Sequence, residues 1–387
     1  MGLIVVCSRV PVRAWKNRPM NPRIPTDLLP RDPRFGSGPA KIRPEAVAAL
    51  ASSPLLGTSH RQAGVKNLVG RIRELAAALY DAPEGYELVL GNGGSTIFWD
   101  VATCSLVDQR SAHGVYGEFS RKFATATARA PFLADPVVFE SAPGTVVVPT
   151  ATDGVDLYGW AQNETSTGAA APVQRPRDSG EALVVVDATS AAGGMAADLS
   201  QTDVYYFAPQ KNFSSDGGLW LAFCSPAALA RAEQVTGRGD RWVPESLNLA
   251  VAAANSRSNQ TLNTPAIATL VLLAEQLQWM VERGGMDFVT GRTSDSSGRV
   301  YRWAEAHDLA SPFVAAEFRS PVVATVDFAD QVDARRLAAD LRANGILDTE
   351  PYRKLGRNQL RIGCFTSVDP DDVSALLGCI DWLLGQY

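Results

Sequence analysis

Cysteine and histidine are scarce in this chain of 387 residues. Its five cysteines, Cys7, Cys104, Cys224, Cys364 and Cys379, lie far apart and form no C-x-x-C pair. That spacing excludes a disulfide framework or a zinc ribbon and makes a reducing, cytoplasmic setting the expectation. The three histidines, His60, His113 and His307, have no ligand spacing to a second donor, so no metal centre is expected. Blocks of like charge are missing and the net charge is −5, which argues against a nucleic-acid surface. The longest strongly apolar stretch, Ala266 to Met280, is interrupted by Glu275, Gln276 and Gln278. It is too short and too polar to span a bilayer and reads as a core helix. No secretory signal is read at the start either: apolar Gly2 to Cys7 comes before Arg9, Arg13, Lys16 and Arg18, the reverse of the order a signal needs. Translation is expected to begin at Met20, with residues 1–19 an extension.

Hydrophobic residues make up 46% of the chain and charged ones 20%, the balance of an ordinary globular protein. From about residue 42 to 300, helical patterns alternate with short apolar runs: Glu87–Leu90, Thr145–Val148, Ala182–Val186, Val204–Phe207 and Leu219–Phe223. Such alternation predicts an α/β fold with a largely parallel sheet, whose ligands bind at the carboxyl ends of the strands. A helix from Thr264-Pro265-Ala266 to Arg283, with Thr264 as N-cap, ends at Gly284-Gly285. Beyond it, a helix around Thr293–His307, a run at Pro321–Val326, a helix over Ala334–Ala343, the segment Gln359–Phe365 and a helix over Pro370–Leu384 capped by Asp369 predict a smaller α+β domain. The expected division is an arm over residues 1–33, a large domain over 34–285 and a small domain over 286–387. The segment Thr165–Ser179, rich in Gly, Ala, Pro, Ser and Thr, reads as a surface loop.

Two of the apolar runs end in reactive groups. Val204–Phe207 leads through Ala208-Pro209-Gln210 to Lys211, and Ala182–Val186 leads to Asp187. Neighbouring buried strands would bring this amine and this carboxylate to one rim of a sheet. Alone, each has a plainer reading, a surface lysine or a helix-capping aspartate. Together they fit pyridoxal phosphate chemistry, in which a lysine condenses with the cofactor aldehyde and a carboxylate keeps the pyridine nitrogen protonated.

Gly91-Asn92-Gly93-Gly94-Ser95-Thr96 joins a strand to the helical run Ile97–Cys104. It suits a phosphate cradle, with Ser95 and Thr96 adding hydroxyls; a plain turn or a dinucleotide turn remains open, although the dinucleotide fingerprint wants Gly or Ala at Thr96. Ser59-His60-Arg61 could clamp an anion or simply start a helix. Arg353, Lys354, Arg357 and Arg361 form a basic cluster. Such a run is ordinarily a solvated face, but Arg361 opens the apolar run Ile362–Phe365, where a charge needs a reason. Cys364, inside that run, reads as a buried inert thiol. Near Gly114–Phe119, His113 and Phe119 read as core packing, with Phe119 also able to stack on a planar ring.

Taken in order, Phe35–Ala40, Ser59-His60-Arg61, Gly93–Thr96, Asn163-Glu164-Thr165, Asp187 with Ser190, Gln210-Lys211-Asn212 and Asn263-Thr264-Pro265 closely resemble the phosphoserine aminotransferases. These are fold-type I, class V pyridoxal phosphate enzymes, and the resemblance runs from about Arg34 to the end. It implies that Lys211 binds the cofactor covalently and Gln210 contacts its phosphate. It implies further that Asp187 pairs with the ring nitrogen, Phe119 stacks on the ring and Thr165 bonds the phenolic oxygen. Ser95 and Thr96 would hold the phosphate, although many members carry arginine at Thr96. Asn263 and Thr264 would reach the phosphate in the neighbouring subunit, making a homodimer obligatory. Ser37, His60, Arg61 and Arg361 would bind substrate. Where many members have a His-Arg pair shortly before Arg361, this chain has Arg353 and Lys354, which would bind substrate too, with one of these two or Arg357 meeting its phosphate.

The activity implied is reversible amino transfer between L-glutamate and 3-phosphohydroxypyruvate in serine synthesis, with the phosphorylated hydroxythreonine pair of pyridoxine synthesis as a further substrate. Alternatives are an alanine or serine–glyoxylate aminotransferase, which needs no basic cluster, and a catalytically silent binding protein of the same fold. A cysteine desulfurase would need an exposed loop cysteine, which Cys364 is not.

Overall fold

The structure is a computed structural model and describes residues 22–386; the expected start at Met20 lies outside the described residues. Two helices, α1 (Pro44–Ser52) and α2 (Ala63–Tyr80), precede β1 (Glu87–Gly93), α3 (Ser95–Ser105), β2 (Ser111–Val115), α4 (Glu118–Ala128), β3 (Val137–Glu140) and β4 (Leu157–Ala161). A two-residue pair, β5 (Asn163–Glu164) and β6 (Ala169–Ala170), leads to β7 (Leu183–Asp187), β8 (Val204–Phe207) and β9 (Gly218–Cys224). Next come α5 (Pro226–Gly237), α6 (Leu249–Arg257), α7 (Ile267–Glu282) and α8 (Gly285–Ala306). The chain closes with β10 (Ala310–Pro312), β11 (Val323–Phe328), α9 (Ala334–Ala343), β12 (Gln359–Gly363) and α10 (Pro370–Gly385).

Among the described residues the main sheet has seven strands in the order β1-β9-β8-β7-β4-β2-β3. Strand β9 runs antiparallel to both neighbours, and the remaining pairs are parallel. Alternate residues of one strand enter different cores: Val184 and Val186 pack with α2 and α7, whereas Leu183 and Val185 pack with α3, α5 and α6. Burial on both faces is why β7, β8 and β9 read as unbroken apolar runs. The second sheet, β10-β11-β12, is antiparallel and is covered by α8, α9 and α10. In α10, Asp369 caps the start by accepting from the Asp371 N–H. No helix among the described residues is long and apolar enough to cross a membrane.

Four expectations need correction. Thr145–Val148 is not a strand; it follows a turn at Pro143-Gly144, and its backbone presses on β2 so closely that a Cβ on Gly114 would lie 2.4 Å from the Val147 carbonyl. Thr165–Ala169 is buried rather than part of a surface loop, because Thr325 of β11 donates to the Thr167 carbonyl (2.8 Å) and Ala169 bridges to Arg319. Helix α7 begins at Ile267, with Ala266 in the cap position, so Thr264 is not its N-cap. Helix α8 starts at Gly285, well before Thr293, because Phe288 in its first turn packs on Trp279 of α7 at 5.1 Å between ring centroids.

Candidate active site

Parallel pairing of β7 with β8 sets Asp187 opposite Tyr206. The turn Ala208-Pro209-Gln210 then returns Lys211 to the same sheet edge, where β1 delivers α3 as well. A cavity of about 300 Å³ opens at this edge, lined among others by Ser95, Phe119, Thr165, Asp187, Gln210 and Lys211.

Lys211 donates from Nζ to the Ser37 carbonyl (2.7 Å). Burial, followed by the neighbouring Arg361 charge, pushes its amine down from 10.5 to about 8, against the opposing pull of Asp187 and Glu164. Gly38 is required beside it: φ is 137° and a Cβ would stand 2.2 Å from Nζ. Asp187 is 5% exposed. Its Oδ2 accepts from Trp99 Nε1 (3.3 Å), and its Oδ1 accepts from the Thr189 N–H (2.9 Å) and hydroxyl. The Thr189 hydroxyl oxygen also lies 2.7 Å from Ser95 Oγ. Ser95 and Thr96 form the first turn of α3, and the Gly94 cap position supplies no side chain; unpaired N–H groups and the helix dipole therefore favour an anion here.

On the opposite wall Phe119 sits in the first turn of α4, its ring 6.0 Å from that of Tyr352. Thr165 donates to Ser190 Oγ (2.7 Å), while its carbonyl accepts from Arg361 Nη1 (3.0 Å). The Arg361 guanidinium lies 5.3 Å from the Tyr352 ring, its Nε is buried without a partner, and burial lowers its pKa. Two amide ends, Gln210 Oε1 and Asn163 Oδ1, are also buried without partners, and both residues line the cavity. Buried polar atoms left unpaired need an explanation. An anionic ligand would account for the unpaired Arg361 Nε and the α3 N–H groups, whereas the two amide oxygens call for donors; Asp187 and Lys211 add a carboxylate and an amine to the same cavity wall.

Other expected residues gather elsewhere. His60, Arg61, Asn263 and Thr264 form a separate surface group: Arg61 Nη1 donates to Gln260 Oε1 (2.7 Å), and Thr264 Oγ1 lies 3.2 Å from His60 Nδ1. Asn263 lines another cleft with Ile97 and Trp220. Within one chain none of the four lines the Lys211 cavity. Arg353 is exposed. Lys354 pairs with Glu118 on a cleft beside Tyr352, and Arg357 is turned to Asp327 and the Phe313 ring. His113 is core, between Ser111 and Thr127, and the Cys364 thiol is pushed up to about 12 by burial.

Sequence reasoning missed Trp99, Thr189 and Glu164. Trp99 stands four residues after Ser95 on α3, hence on the same helix face, a signal that could have identified it.

Residues 150–348 match the family model of class-V aminotransferases. The chain is 61% identical over 363 residues to a relative from Mycobacterium sp. (strain KMS), covering 93% of this chain and 98% of the relative. It is 54% identical over 368 residues to the phosphoserine aminotransferase of Rhodococcus opacus (strain B4), covering 94% and 98%. Among solved structures, a phosphoserine aminotransferase from Cytophaga hutchinsonii superposes with a TM-score of 0.83 at 20% identity, covering 90% of this chain and 98% of that one. A PLP-bound phosphoserine aminotransferase from Trichomonas vaginalis gives 0.76 at 16% identity, covering 91% and 100%. The structural likenesses establish the fold, and the relatives establish the family: this chain belongs to the pyridoxal phosphate-dependent class-V aminotransferases, among the phosphoserine aminotransferases.

Proposed function

We propose that the chain transfers the amino group of L-glutamate to 3-phosphohydroxypyruvate, giving O-phospho-L-serine and 2-oxoglutarate. The observation that carries this reading is the meeting of Lys211 and Asp187 in one cavity, with the partly buried Arg361 held next to it by the carbonyl of Thr165, a lining residue. Bound pyridoxal phosphate supplies an aldehyde and an electron-withdrawing ring that stabilises negative charge at the substrate Cα. Lys211 would hold the cofactor and, once freed, its Nζ would take up and return the proton of the substrate Cα. Asp187 keeps the ring nitrogen charged. Gln210, Ser95 and Thr96 would hold the phosphate, Phe119 would stack on the ring and Thr165 would bond the phenolic oxygen. Arg361 takes the substrate carboxylate, with the Ser37 segment beside it.

The surface group His60, Arg61, Asn263 and Thr264 completes the site of a second copy in a homodimer, and Arg353 or Lys354 meets the far anionic end of the substrate. Lys354 can do so by leaving Glu118, since exposed ion pairs contribute only about 0–1 kcal/mol. The division that goes with this reading is an arm over 1–33, a large domain over 34–285 that binds the cofactor and a small domain over 286–387. The site also suits the phosphorylated hydroxythreonine pair.

Assays of the purified protein with glutamate and each oxo acid test the assignment. 3-Phosphohydroxypyruvate should exceed glyoxylate in kcat/KM by about 10²-fold or more, because a site built around cations leaves them unpaired with the smaller acid; a preference for glyoxylate overturns the reading. Arg361→Ala should raise substrate KM about 10- to 100-fold, the loss of a charged hydrogen bond, with cofactor affinity nearly unchanged. An unchanged KM removes Arg361 from the substrate site.

Lys211 gives a pH test. Its neutral amine is the nucleophile, and its folded pKa is lowered from 10.5 to about 8, so the neutral fraction grows as pH rises through 8. Capture of pyridoxal phosphate by the apoprotein should therefore accelerate between about pH 7 and 9 and then level off. A rise that waits for the ordinary lysine range contradicts the assignment.

A further inference from the structure

The sequence motif Asn163-Glu164-Thr165 contains two residues that line the cavity and one that does not. Glu164, at the end of β5, is fully buried. A buried carboxylate is costly unless its lone pairs are filled, and here they are filled by donors from two segments of the cavity wall. Oε2 accepts from the Ser120 N–H (2.9 Å), the Ser120 hydroxyl (2.9 Å) and the Phe119 N–H (3.1 Å). Oε1 accepts from the Ser166 hydroxyl (2.6 Å) and N–H (3.2 Å).

Phe119 and Ser120 belong to the first turn of α4, so Glu164 caps that helix from 44 residues away in sequence. Ser166 in turn accepts at Oγ from the Glu118 N–H (3.0 Å). The approach depends on Gly117, where a Cβ would lie 2.3 Å from Glu164 Cγ. On the other side, Glu164 precedes Thr165, whose carbonyl holds Arg361.

We infer that Glu164 is a positioning residue of the cofactor site: it locks the helix turn that carries Phe119 to the strand end that carries Thr165, and so fixes the aromatic wall and the Arg361 anchor as one unit. The inference rests on the reading of Lys211, Phe119 and Thr165 given under Proposed function. Glu164 itself touches neither cofactor nor substrate.

Glu164→Gln tests it, since the amide keeps the size and one acceptor but turns an NH₂ toward N–H donors. Ser166→Ala is the milder companion, removing a single hydroxyl from the network. In the holoprotein, Glu164→Gln should weaken cofactor affinity about tenfold and reduce the visible circular dichroism per bound cofactor by about half. kcat should fall more than KM rises. Ser166→Ala should move the same signals less, in the same direction, and decides alone if Glu164→Gln does not fold.

A purely structural role would lower the thermal midpoint while leaving visible dichroism and cofactor affinity at wild-type values, and that result overturns the inference. If wild-type protein mixed with pyridoxal phosphate shows no visible signal, the site reading fails and takes the inference with it. A normal wild-type signal that neither variant alters defeats the inference alone.

Discussion

Replacing Lys211 with alanine leaves a folded protein that no longer develops visible absorbance with pyridoxal phosphate and turns over glutamate at least about 10³-fold more slowly. The size follows from two losses at one atom. Nζ is the nucleophile that would hold the cofactor and also the group that would shuttle the proton, and among the described residues no second lysine lines the cavity. The fold should survive, because the polar contact given up is a single bond to the Ser37 carbonyl. Absorbance spectra and a coupled glutamate assay on the same preparation check this. Ordinary absorbance with ordinary turnover in Lys211→Ala would remove this lysine from the chemistry.

Asp187→Ala is the second large effect. Its carboxylate collects Trp99 Nε1 and both donors of Thr189, so truncation removes the charge proposed to face the ring nitrogen and leaves three donors without their acceptor. Removing one preorganised electrostatic group of this kind typically costs about 10²–10³ in kcat. Cofactor retention should weaken too, because the negative partner of the ring is gone. Asp187→Asn separates shape from charge: the amide fits the space and can still accept from Trp99, yet kcat should fall almost as far as in the alanine variant. Titration of apoprotein with cofactor, followed by kcat at saturation, measures both. An asparagine variant with wild-type kcat would show that charge at this position does not matter.

Much of this was legible in the sequence, for physical reasons that can be named. Strands β7, β8 and β9 are packed on both faces, so they appear as continuous apolar runs with Asp187 and Lys211 at their ends. Strands β2 and β4 escaped notice because His113, Gly114 and Gly159 interrupt the pattern; only the fold shows that a Cβ on Gly159 would lie 2.9 Å from His113 Nδ1. The run Thr145–Val148 misled in the opposite sense, since β-branched residues also suit an extended segment lying against the face of a sheet. Trp99 and Glu164 were hidden because their importance lies in what they hold, across 88 and 45 residues of sequence, and not in their own chemistry. The grouping of His60 and Arg61 with Asn263 and Thr264, away from Lys211, follows from α2 and α7 packing side by side, which no local pattern encodes.

Borohydride reduction of the holoprotein, followed by proteolysis and mass spectrometry, asks directly which amine carries the cofactor. The phosphopyridoxyl mass should appear on the peptide containing Gln210-Lys211-Asn212, at Lys211, in stoichiometric amount. Stoichiometric label on any other lysine, with Lys211 unmodified, would contradict the assignment of this cavity.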